Sequence, residues 1–341
     1  MDTQTKSLLQ LANHYPSPHN GQPIRIHPKS KNILDLYFVR ERGLRSSDIS
    51  YLFSYASMGV FVEHLRSCGK ALGHKISIDT KLPKIKKLSA NGPILFATAK
   101  ISWNASRPDK SLQKLIETRQ TSRKNYTKGP TKSQIDSLMN VTKNSKLKTH
   151  VLNKQQSKQA IWLNQRAVFD DLFNQDAREE LDSWLRYNKK EKTVMKDGLS
   201  YDCMCINGTA MRFVVHHPKI LKVPGLSFAL KQYYLRTMQD SSTVMYMTAP
   251  FETEQESYVV GEYIMKFWFE CSKNNLYIHP FGTIMSNHEA HRDFIKLSGI
   301  KKENPERSYL VFITRIGKSD PPALSERLPF DQHLLMKDEI K

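Results

Sequence analysis

Residues 15–26, Tyr-Pro-Ser-Pro-His-Asn-Gly-Gln-Pro-Ile-Arg-Ile, set the polar side chains of Ser17, His19, Asn20 and Gln22 among Pro16, Pro18 and Pro23. Proline fixes φ and disfavours helix in the residue before it, and Asn20-Gly21 favours a turn. A stiff loop is therefore expected, leading into a strand where Ile24 and Ile26 alternate. Such a loop can present donors and acceptors to a ligand. It can also be a plain polar connection between a helix and a strand.

A second group lies about a hundred residues on. Leu112, Leu115 and Ile116 mark one face of a helix, and Arg119 falls on the same stripe. If that helix persists, Arg119 and Arg123 share a face at a spacing of four. A guanidinium in an apolar stripe is costly to bury unless it is paired. Phosphate is a suitable partner, because its oxygens match the planar fork, and Thr121 and Ser122 add hydroxyls. A carboxylate bridge would satisfy the same arginine.

Taken together, Pro16-Ser17-x-x-Asn20-x-Gln22-Pro23 and Arg119-x-Thr121-x-Arg123 resemble the nitroreductase family of flavoproteins. The resemblance implies that Arg119, Thr121 and Arg123 bind the FMN phosphate and that Pro16, Ser17, His19, Asn20 and Gln22 lie against the flavin. It extends to Ser325-Glu-Arg327-Leu-Pro329, where Arg327 would also meet the phosphate, and to Pro280-Phe281-Gly282 beside the ring. Having the loop first and the arginines later resembles the Acg-like branch, in which two modules are fused in one chain; Glu179-Glu-Leu-x-x-Trp184 and Asp197-Gly198 resemble it too. Departures are Ile24 where an aromatic is usual, Thr121 for serine, and Glu326 beside Arg327.

The fold this implies is α+β: two related nitroreductase-like modules forming a pseudo-dimer in one chain. The expected halves are 1–108, carrying the loop, and 109–341, carrying the arginine segment and a possible lid at 155–205. Residues 104–110 mark the boundary. Helices are expected at 4–13, about 48–70, after 110, near 131–141, over 155–188, around 226–238, over 255–273 and near 288–298. Strands are expected at 24–27, 33–39, 75–79, 94–103, 149–152, 276–279 and 309–315. Residues 189–250 are otherwise mixed. Gly59 precedes Ile76 by the same interval as Gly261 precedes Ile278, which suggests an internal repeat.

Composition narrows the rest. The chain of 341 residues is 39% hydrophobic and carries 52 Lys+Arg against 33 Asp+Glu, a net charge of +19. The charge is spread over short clusters such as Lys81–Lys87 and Lys143–Lys148 and describes a solvated basic surface. Nucleic acid is not the expected partner. Without an apolar run long enough to span a bilayer, no membrane partner is expected, and the N-terminus lacks an export pattern. Four irregularly spaced cysteines read as reduced thiols, so a cytoplasmic setting is expected. No dinucleotide fingerprint or P-loop occurs, and His288-Glu-Ala-His291 lacks zinc-protease spacing; no metal is expected.

The functional expectation is an FMN-binding oxidoreductase that takes electrons from NADPH or NADH and reduces a small-molecule acceptor. The alternative is a protein that sequesters FMN under a cover with little turnover. No catalytic residue is singled out. A monomer with an internal pseudo-dimer, or a homodimer, is expected.

Overall fold

The computed structural model describes residues 1–44, 48, 51–84, 88, 92–238, 243–300 and 309–340. Arg45 of the charged connector and residues 85–87 of the Lys81–Lys87 cluster lie outside them. The chain is α+β and forms two compact units. The first gathers 1–119, 252–269 and 327–341; the second holds 120–251 and 270–326.

In the first unit, β1 (Ile24–Ser30), β2 (Ile33–Val39), β3 (Lys75–Thr80) and β4 (Pro93–Ser102) form an antiparallel sheet in the order β1-β2-β4-β3. The Leu52–Ala71 helix connects β2 to β3. Its residues are buried almost all round, as expected of a helix at the centre of a core rather than on a surface. The helix expected from about Asp48 begins at Leu52. Asp48 stands outside it as a buried acceptor for the amides of Phe53 and Ser54 and the Ser54 hydroxyl, so its carboxylate supplies partners to the helix start. Leu8, Ile24, Leu36, Phe61, Leu65 and Phe96 lie in one apolar core.

In the second unit, β5 (Lys148–Val151), β8 (Thr243–Ala249), β9 (Tyr277–Pro280) and β10 (Tyr309–Gly317) repeat this arrangement in the order β5-β8-β10-β9, again all antiparallel. In chain order the helix Glu254–Lys273 follows β8 and precedes β9, and its residues 254–269 belong to the first unit. The main difference is an insertion between the first and second strands. It contains the helices Lys154–Asp171, Gln175–Trp184, Lys189–Met195, Gly208–His216 and Pro224–Leu235, and the short parallel pair β6 (Leu185–Arg186) and β7 (Leu199–Ser200). Part of the insertion has its own core of Phe169, Leu172, Leu185, Tyr187, Met211, Val215 and Leu221. Strand β8 falls in a stretch that sequence periodicity leaves mixed, because both its faces are buried and no polar alternation marks it.

The glycines of the suspected repeat meet. A Cβ on Gly59 would stand 1.9 Å from the Tyr258 carbonyl oxygen, and one on Gly261 would stand 1.8 Å from that of Ala56. Each glycine thus lets its helix touch the backbone of the other, a close approach that a side chain forbids. Arg66 on one helix pairs with Glu262 on the other.

Two of the residues resembling the fused branch also have a visible structural role. Asp197 accepts from Arg186 Nη2 at 2.6 Å and from Nε at 3.0 Å, both residues being buried. Gly198 has φ +74°, and a Cβ there would stand 2.3 Å from the Trp184 carbonyl.

Candidate functional site

The 15–23 loop is held in a conformation that most residues avoid. His19, Asn20 and Gln22 have φ of 50°, 54° and 53°. Each left-handed non-glycine residue costs on the order of 1–3 kcal/mol and persists where its surroundings enforce it. The enforcement is visible: the Gln22 amide donates to Ser17 Oγ at 2.9 Å, Asn20 N–H to the Ser17 carbonyl and Gly21 N–H to the Pro18 carbonyl. Arg42 Nε donates to the Gly21 carbonyl at 2.7 Å and Arg25 to that of Gln22 at 2.9 Å. Pro16 and Asn20 are buried, while Ser17 and His19 are half-buried.

Gln22 is fully buried and uses both ends of its amide. Its Oε1 accepts from Leu328 N–H at 3.0 Å, and its Nε2 donates to the Asn20 carbonyl at 3.2 Å. Asn13 Nδ2 donates to the Leu328 carbonyl at 2.8 Å. Two side chains thus grip the main chain beside Arg327, whose Nη1 donates to the Tyr15 carbonyl at 2.8 Å. Gln22 therefore positions its neighbours.

Arg119 enters the same unit from the C-cap of the Lys110–Thr118 helix. The helix ends before Arg123, so the shared face that a persisting helix would give Arg119 and Arg123 does not form. Arg119 already has extended geometry, φ −61° and ψ 126°, and the apolar stripe ends at Ile116. With no further apolar contact to bury, the threonine- and serine-rich stretch that follows has little reason to stay helical.

Arg119 is 7% exposed and donates Nη2 to the His14 carbonyl at 3.1 Å; its Nε has no hydrogen-bond partner. Its guanidinium carbon lies 4.7 Å from the centre of the Trp268 ring. Burial lowers its pKa to about 9, helped by the positive charge of Arg327, and burial lowers that of Arg327 to about 10. Both stay protonated at neutral pH, and among the described residues neither is paired with a carboxylate. Nearby imidazoles do not compensate. His14 is pushed down by burial and then by Arg327 and Arg119, and His64 well down by burial and then by Arg119, so both favour neutrality. Two desolvated cations served by main-chain carbonyls and an aromatic face have the chemistry to pair with an anion that carries several oxygens.

The second unit carries the remaining expected residues. Thr121 bridges to Ile278 and Ser122 N–H donates to the Ile278 carbonyl at 3.1 Å, so this segment runs along β9. Arg123 is half-buried, its pKa lowered by burial, and it makes no hydrogen bond or ion pair among the described residues. Pro280 ends β9. Phe281 is a core residue, 1% exposed, whose N–H donates to the Ile313 carbonyl at 2.9 Å. Gly282 opens the short Gly282–Ser286 helix, where first-turn amides lack partners within the helix, and a Cβ there would meet nothing within 4 Å.

Sequence reasoning missed Arg315. It is fully buried in β10, donates to His279 Nδ1, the Thr237 carbonyl and the Lys124 carbonyl at 3.1, 2.7 and 2.8 Å, and lies 4.2 Å from the Tyr126 ring centre. The signal was present: it is the one charge in the run Tyr309–Gly317. His14 and His64 were also missed, and neither position carries a mark that sequence could reveal. Among the described residues, no group of three His, Cys, Asp or Glu side chains could hold a metal, and no helix is long and apolar enough to cross a membrane.

No protein-family model matches the chain, and no curated protein matches it. Among solved structures, it is similar to a nitroreductase-like family protein from Bacillus cereus, with 13% identity over 68% of this chain and 98% of that one, at a TM-score of 0.36. It is similar to the FMN-dependent nitroreductase NfnB from Mycobacterium smegmatis in complex with NADPH, with 12% identity over 62% and 88%, also at 0.36. A variant of an FMN- and NADPH-dependent nitroreductase from Sphigopyxis sp. strain HMH gives 11% identity over 66% and 97%, at 0.40. Likeness this coarse leaves cofactor and activity to the residues themselves.

Proposed function

We propose that this protein is an FMN-binding oxidoreductase of the nitroreductase type, taking electrons from NADPH or NADH and reducing a small organic acceptor. The observation that supports this most directly is Arg119, a buried cation with an unpartnered Nε, beside a second cation in Arg327, neither paired with a carboxylate among the described residues. A phosphate monoester brings charge and oxygens of the kind this pair lacks. Bound FMN supplies two-electron transfer between a nicotinamide donor and an acceptor.

The chain's own part is binding and placement. Arg119 and Arg327 hold the phosphate. Ser17, His19 and Asn20 offer polar groups from a loop fixed in advance, and that preorganisation limits the entropy lost when a ligand binds. Gln22 acts through Leu328 to keep Arg327 in place. Thr121 and Arg123 in the second unit carry a hydroxyl and a guanidinium, and Gly282 is exposed at the start of its short helix. The cytoplasm, where NADPH and NADH are found, is the proposed setting, and the +19 charge favours approach of an anionic donor.

The test is the visible spectrum of purified protein soaked in FMN, desalted, and then mixed anaerobically with NADPH or NADH. Retained flavin that bleaches with either donor supports the reading. Flavin that bleaches only with dithionite contradicts the reductase and leaves a binding protein. No retained flavin contradicts both.

A further inference from the structure

Around residues 212–228 the second unit leaves apolar side chains in water. Phe213 is 54% exposed, Val223 53%, Leu226 44% and Phe228 66%. Residues 222–226, Lys-Val-Pro-Gly-Leu, are exposed in unbroken succession, and a Cβ on Gly225 would meet nothing within 4 Å. This is the apex of a corner between the turn at Pro218–Lys222 and the Pro224–Leu235 helix. Exposed aromatic and aliphatic side chains grouped in this way mark a binding surface.

The charge around the apex has one sign. From Cys203 to Met238 there is no Asp or Glu, while Arg212, Lys219, Lys222, Lys231 and Arg236 are all present. Lys219 precedes the apex and Lys222 opens it, and neither forms an ion pair among the described residues; Lys222 lies over the Phe173 ring at 5.3 Å. Carboxylates on the other helices and turns of the insertion have partners of their own. Asp171 accepts from Asn287, Asp170 faces Arg166, Asp182 accepts from Tyr187 and contacts His216, and Glu191 pairs with Arg212.

We propose that this corner docks on an anionic lipid surface, with Val223, Leu226 and Phe228 entering the apolar boundary and Lys219 and Lys222 meeting the headgroups. Exposed apolar side chains next in sequence to unpaired lysines suit a bilayer interface, which offers an apolar phase directly beneath negative charge. A nucleic-acid backbone offers charge without that phase. Docking of this kind needs no membrane-spanning helix.

The test is co-sedimentation of the full chain with vesicles of phosphatidylcholine, with and without phosphatidylglycerol. Binding is expected with phosphatidylglycerol vesicles and not with phosphatidylcholine alone. The pair Leu226→Ser/Phe228→Ser should weaken it about tenfold or more without changing net charge, and Lys219→Glu/Lys222→Glu should weaken it as well. All four positions are exposed, so the fold should hold, with unchanged far-UV circular dichroism as the check. Absence of binding overturns the proposal. So does equal binding by the serine pair, which would mean diffuse attraction to a +19 protein. A concentration-dependent dimer in sedimentation velocity that Phe228→Ser abolishes would also overturn it, since a second copy would then cover the corner.

Discussion

The side-chain oxygen of Gln22 accepts the backbone N–H of Leu328 at 3.0 Å, joining the loop with three left-handed residues to the segment that carries Arg327. Because Gln22 is fully buried, replacing it with leucine leaves the Leu328 amide without that partner. The expected cost is about 1–3 kcal/mol of stability. Flavin binding should fall further than Tm alone explains, because Arg327 loses its registration. A Gln22→Leu variant that loses stability yet binds FMN as tightly as wild type would show that the grip on Leu328 serves the fold alone.

Arg119 should trade stability for binding. A buried guanidinium that pairs with no carboxylate among the described residues is a cost to the FMN-free protein, so Arg119→Met should leave its stability unchanged or raise it by about 1–4 kcal/mol. The same variant should lose FMN affinity by about tenfold or more, since charge-assisted hydrogen bonds to an anion disappear. Chemical denaturation with and without FMN reads both effects. A strongly destabilised FMN-free variant would indicate a structural arginine.

Gly59 and Gly261 make reciprocal approaches, so their substitutions should behave alike. Alanine at either would place a Cβ within 2 Å of a main-chain oxygen on the other helix. The helices must separate, and the loss expected is about 3 kcal/mol or more at either site, at the upper end of ordinary overpacking. Thermal unfolding of the two single variants and the double tests this. The double should cost less than the sum, because the first separation accommodates the second Cβ.

Stability should also fall in acid through His333. Burial, then the charges of Arg25, Arg42 and Arg327, lower its pKa to about 4, against roughly 6.5 for an unperturbed histidine. A histidine whose folded pKa lies below its unfolded one takes up its proton on unfolding. Acid therefore favours the unfolded chain, with a slope near 1.4 kcal/mol per pH unit between about 6.5 and 4 and none from this group above that window. His14 and His64 shift the same way and steepen the fall. His333→Gln should flatten the slope by about one proton's worth, as read from denaturant unfolding across that range.

The elements legible in the sequence were those with a one-sided pattern. Ile24 and Ile26 announced β1, Val260 and Phe267 the long 254–273 helix, and the equal Gly–Ile intervals marked the two glycines that meet. Where burial is two-sided, as in β8, or a helix is short and polar, as at Lys189–Met195, no period distinguishes the element. Arg119 illustrates the limit at the site. Its place in an apolar stripe revealed a buried cation, but the helix end that turns it from the stripe depends on tertiary contacts. His14 and His64 surround it from parts of the chain whose local sequence carries no sign of the meeting.

Arg119 and Arg327 are proposed to hold the FMN phosphate. The most direct measurement is fluorescence titration of FMN against wild type, Arg119→Met and riboflavin as the phosphate-free ligand. The account predicts that wild type binds FMN about tenfold or more tightly than riboflavin and that Arg119→Met binds the two alike. Equal binding of FMN and riboflavin by wild type, or an undiminished preference for FMN in Arg119→Met, would contradict it.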